Sequence, residues 1–160
     1  MERRSFLLAT GALALSATTA QARPRTMADF RTADLAGGAF AMQTSQLALT
    51  RTGNPDVINF ANAEIAEQVQ VATALGAQPG SAPMRSDHAV VLTRLEDVPS
   101  GSAFDRMYVQ GQIRGHRELL ALNSSYLRSG RDPQEQAVAR MSLPIIQRHL
   151  AILGNLREIA

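Results

Sequence analysis

The sequence predicts an all-α protein: an antiparallel four-helix bundle of ferritin-like type, with one short extra helix between the second and third long ones. Three observations carry this expectation. Apolar residues recur with a helical period almost throughout, no window alternates as a strand would, and breaker-rich segments cut the chain into four long stretches and one short one.

The opening residues stand apart from that pattern. "MERRSFLLATGALALSATTAQA" joins Arg3-Arg4 to Phe6-Leu7, then a mild apolar run, then Ala20-Gln21-Ala22. It reads as a twin-arginine-type signal peptide over residues 1–22, cleaved after Ala22, and its apolar run is too short to anchor the mature chain. Residues 23–28 read as a short mature tail, and residues 29–160 as one helical domain with room for a core.

A first helix is expected from Asp29, as N-cap, to Arg51, with Phe30, Ala33, Gly37, Phe40, Thr44, Leu47 and Ala48 on one face. "TGNPD" ends it, and Pro55 suits the first turn of a second helix over 55–76. "GAQPGSAP" leads to a short third helix over 86–97, capped by Ser86. "VPSGS" precedes a fourth over 102–129, with Gly130 as its C-terminal cap. Asp132-Pro133 opens a fifth helix that reaches about residue 158. Pro144 lies inside the fifth helix, on the side away from its apolar face, where it removes one amide donor and bends the axis around the core.

Composition narrows the function. Removing the leader takes Arg3, Arg4 and Glu2 from 16 basic and 14 acidic residues, so the mature chain is close to neutral and no basic stripe offers a nucleic-acid surface. The chain has no cysteine, which excludes disulfides, a lipidated cysteine and thiolate metal ligands. No mature transmembrane segment, internal repeat, nucleophile elbow, Gly-rich phosphate loop or His-Glu-x-x-His motif is present.

The informative feature is a polar line within an apolar face. At about 100° per residue, Asp105, Gln112, His116 and Asn123 of the fourth helix share one direction. Around them lie Phe104, Tyr108, Val109, Ile113, Leu119 and Tyr126, with Arg106, Gln110, Arg114, Arg117 and Arg128 opposite. His149 is central on the fifth helix, among Val138, Ser142, Ile145, Ile146, Ile152, Leu153 and Leu156. Glu64 and Gln68 fall on the inner side of the second, with Glu67 at its edge. The first helix is read as bringing in no carboxylate, only Thr44. His88, at the start of the short helix, is expected to be exposed. Unpartnered buried carboxylates and imidazoles are costly, so these groups must meet one another, water or a metal. Glu64, Asp105, His116 and His149 are the candidate metal ligands, and Gln68, Gln112, Asn123 and Tyr108 the surrounding buried polar network. The Glu-x-x-His pairing of di-iron bundles is absent.

The same residues resemble the family named domain of unknown function 4142 (DUF4142). The resemblance rests on Phe104-Asp105-Arg106-x-Tyr108, then Gln112, His116, Glu118 and Tyr126, then "GRDP", Leu143-Pro144 and His149-Leu150. Upstream it includes "GGAF" and "LALTRTGNPDVINFA". It implies an exported ferritin-like bundle and no assigned reaction. It also implies a thinned site, since an acid usual in the first helix aligns with Ala41 and an Asp-His pair with Glu67-Gln68.

Two functions are therefore expected. One is a non-catalytic protein of the periplasm or cell envelope, related to stress or to binding an envelope partner, with a structural polar network. The other is a bundle holding one divalent metal (Fe, Mn or Zn) for storage, sensing or redox work. An interaction module acting through its arginine-bearing outer faces is a third and weaker reading, because any soluble helix carries such a face.

Overall fold

A computed structural model describes residues 27–159, with side chains from 30 to 158. The leader at 1–22 and most of the tail that follows it lie outside these residues. The described chain is all-α, with five helices and no strand: α1 (Met27–Arg51), α2 (Pro55–Ala74), α3 (Ser86–Asp97), α4 (Ser102–Ser129) and α5 (Pro133–Ile159). Helix α1 begins two residues before Asp29, inside the stretch read as a tail.

Local chemistry sets most boundaries. The Asn54 side chain accepts from the amides of Asp56 and Val57 at 3.0 and 3.4 Å, satisfying two orphan donors where Pro55 starts α2. Asp132 does the same for Glu135 at the start of α5, at 3.0 Å. Ser86 is not a cap: it is the first residue of α3, and Arg85 precedes it with no side-chain bond to the helix end. Gly130 closes α4 because a side chain there would strike the ring of Tyr126. Helix α5 passes through Pro144 without interruption, and that residue is exposed, as its position predicts.

Each of the four long helices packs on two of the others. Helix α1 packs on α2 and α4, α5 packs on α4 and α2, and α3 lies across α1 and α4. The main apolar cluster joins Phe60, Leu95, Phe104, Tyr108, Val109 and Leu153 from four helices. Phe30 stacks on Tyr126 at 4.0 Å elsewhere in the core. Helix α4 is divided as its periodicity predicts, with Arg106, Gln110, Arg114, Arg117 and Arg128 exposed opposite the buried line. Helix α1 is not divided in this way, since every residue from Ala36 to Met42 is buried. Ile152 departs from expectation on α5, being 39% exposed rather than on the inner face.

Candidate metal centre

Three of the four candidate ligands meet in the interior. Glu64 on α2, His116 on α4 and His149 on α5 are 0–2% exposed. Glu64 Oε2 lies 3.0 Å from His116 Nε2 and 2.8 Å from His149 Nδ1, and the two ring nitrogens are 3.2 Å apart. Three potential donor atoms thus form a triangle with edges close to 3 Å.

Each corner is held from outside. The Gln68 amide donates to Glu64 Oε1 at 2.9 Å, one turn along α2. Its close approach needs Gly38 on α1, where a Cβ would collide with the Gln68 amide oxygen. His116 Nδ1–H donates to the Gln112 carbonyl at 2.8 Å, one turn earlier on α4. His149 Nε2 stands 3.2 Å from Glu67 Oε2, and Glu67 is tied at the surface by Arg148 at 2.7 Å.

These outer partners orient the rings. A neutral imidazole carries one N–H, and both histidines have an acceptor for it on the side away from the triangle. Their inner nitrogens therefore present lone pairs to each other and to a carboxylate oxygen. Three lone pairs converging in a water-poor interior repel unless a cation stands among them, either a proton or a metal ion. The electrostatics agree. Burial raises the Glu64 carboxyl, but His116 and His149 together outweigh it and hold the group well below the ordinary range. Burial opposes charge on His116, yet the Glu64 carboxylate, its hydrogen bond, the Gln112 carbonyl and Glu67 raise the imidazole above its usual value.

The donor set also fits a metal on chemical grounds. Two imidazole nitrogens and one carboxylate oxygen suit zinc, iron or manganese. Donors on a four- to six-coordinate ion with bonds of roughly 2.0–2.2 Å lie about 3.0–3.5 Å apart, close to the observed edges. Outer partners that fix tautomer and ring direction are usual for such ligands.

Asp105 does not join them. It shares the direction of His116 but sits in the first turn of α4, about 16 Å away along the axis at 1.5 Å per residue. It is buried, and its Oδ1 finds no hydrogen-bond partner among the described residues. The wider polar network is divided in the same way. Tyr108 pairs with Ser45 at 2.8 Å, and the Gln112 amide donates to Thr44, Ser45 and the Ala41 carbonyl. The Asn123 amide bonds to Asp34 at 2.8 Å. Only Gln68, and Gln112 through its backbone, touch the triangle.

Asp34 corrects the reading that α1 brings in no carboxylate. It is 3% exposed, and burial pushes its carboxyl up to about 6. It lines one small cavity with His116, His149, Gln68 and Ser142. Its spacing of seven from Ala41, and of four from Phe30, was the available signal. Also missed was His88, which is 2% exposed beneath α3, stacked on Phe40 at 4.3 Å and bonded to Glu118 at 2.9 Å. Asp87, His88 and Glu118 form a second His-carboxylate group whose donor atoms all lie within 4.8 Å of one another. There Arg85 and Arg114 each bond to both carboxylates, at 2.7–3.1 Å.

Residues 12–156 match a family model described as a domain of unknown function, DUF4142. The chain belongs to the DUF4142 family. Among curated proteins and among solved structures, nothing matches. Within this DUF4142 member, α1 carries no acid at Ala41, and its buried acid, Asp34, lies two turns earlier and lines the cavity beside the triangle.

Proposed function

We propose that this DUF4142 protein is an exported, ferritin-like helical bundle of the periplasm or cell envelope that binds one divalent metal through Glu64, His116 and His149. One observation carries the reading. Gln112 and Glu67 draw the N–H groups of both rings outward, so the lone pairs of three donors face a common point. The leader-like residues 1–22 support export. No helix among the described residues is long and apolar enough to cross a membrane. Iron, manganese and zinc are the ions the donor set favours. The role is one of binding, with storage, sensing or redox use as its forms, because the three donors converge on one point deep in the interior.

A second reading rests on the raised His116: a proton takes the cation's place, and the triangle is a structural network that sets helix register. Elemental analysis of protein purified from its native compartment separates the two. Near-stoichiometric metal that disappears in the His116→Ala/His149→Ala variant is the expected result. Metal-free protein whose melting temperature ignores added iron, manganese and zinc would leave the proton network standing alone.

A further inference from the structure

The cavity beside the triangle is walled by Asp34, His116, Ser142 and His149, with Leu119 and Ile146 as apolar walls, and it has about 20 Å³ open to the centre of a water molecule. That is room for one water and little more. We infer that this cavity seats an exogenous ligand of one or two non-hydrogen atoms, bound to the metal and facing the polar wall formed by Asp34 and Ser142. The inference rests on the metal reading above.

Three features point to it. Three protein donors leave at least one position open on a four- to six-coordinate ion, and both imidazoles that would hold the ion line the cavity. Ser142 is 5% exposed, yet its hydroxyl has no hydrogen-bond partner among the described residues. A buried hydroxyl in that condition is unfavourable unless something polar fills the space beside it. Finally, Ser142 and His149 lie two turns apart on one face of α5 and both line the cavity, so one helix supplies a ligand and part of the polar wall beside it. The size of the space sets the ligand class. Water, hydroxide or a diatomic molecule fits, and a ring or carboxylate-bearing organic molecule does not.

The Asp87, His88 and Glu118 group does not compete for this role. Its carboxylates are already satisfied by two guanidinium groups, so a cation there would have to displace both.

The test loads the purified protein anaerobically with iron(II) and adds nitric oxide or imidazole, followed by electron paramagnetic resonance and optical absorption. Nitric oxide is expected to give an iron–nitrosyl signal, and imidazole to leave the spectrum unchanged. Ser142→Leu, which fills the space, should retain iron but lose at least tenfold in nitric oxide affinity. Ser142→Ala, which removes the hydroxyl without crowding the fold, should retain iron and hold nitric oxide more weakly than the wild type. Wild-type protein that takes imidazole as readily as nitric oxide overturns the inference. So does iron-loaded Ser142→Leu that binds nitric oxide normally, or iron-loaded Ser142→Ala that binds it as tightly as the wild type. A protein that takes up no iron, manganese or zinc overturns the metal reading itself.

Discussion

The molecule contains two groups built from the same residue types, and they have opposite characters. Glu64, His116 and His149 lie in the interior, bonded to one another and not clamped by a guanidinium pair, and each donor has a partner behind it. Asp87, His88 and Glu118 lie at the α3–α4 surface, where Arg85 and Arg114 clamp both carboxylates. In the second group the positive charge is supplied by the protein, and only His88 is deeply buried. In the first it must come from outside the side-chain set, as a proton or an ion. Ligand type alone therefore does not define a metal site; the surrounding charge does.

The largest effect separating the groups should come from deleting one acid in each. Glu64→Ala strands two buried imidazoles and is expected to cost about 3–5 kcal/mol. Glu118→Ala breaks half-exposed arginine bridges and strands one buried imidazole, that of His88, and should cost about 1–2 kcal/mol. Urea unfolding measures both, and equal losses would erase the distinction.

Asp34 sharpens the contrast next. Its folded pKa of about 6 lies above the unfolded value, so ionising it works against folding. The penalty is absent below the unfolded carboxylate pKa, grows as pH rises toward 6, and is complete above it. In metal-free protein, Asp34→Asn should therefore stabilise by roughly 2–3 kcal/mol at pH 8 and by almost nothing at pH 4. A gain independent of pH would show that the carboxyl is not held in this state.

Smaller still is the effect of an outer partner. Gln68→Leu frees Glu64 Oε1 and should weaken metal binding about tenfold, read by titration against a competing chelator, while His88→Leu leaves that affinity unchanged. The smallest effect belongs to the arginine clamp. Arg114→Ala should shift stability by less than about 0.5 kcal/mol, and less again in high salt. A larger loss in a melting experiment would mean that the surface group contributes more than its exposure allows.

Much of the interior was legible in the chain. Helical periodicity turned Glu64, His116 and His149 inward, and all three meet. Direction around a helix, however, carries no information about depth along it. Asp105 and His116 share a direction yet lie three turns apart, which is why one joins the triangle and the other does not. Asp34 and His88 escaped for a different reason. A helix enclosed on several sides along its middle, as α1 is from Ala36 to Met42, offers no wet face there from which to infer a dry one. A short helix such as α3 reveals its buried side only through the helices beneath it.

The sequence by itself determined the helices, the breaks between them and the inward direction of the polar line, because these depend on local propensity and on a 3.6-residue period. The tertiary structure decided which inward groups share a level, which histidines gain an outer acceptor, and where arginine neutralises a carboxylate before any ion can. Those outcomes depend on the axial offset and spacing of helices distant in the chain, which no local pattern encodes.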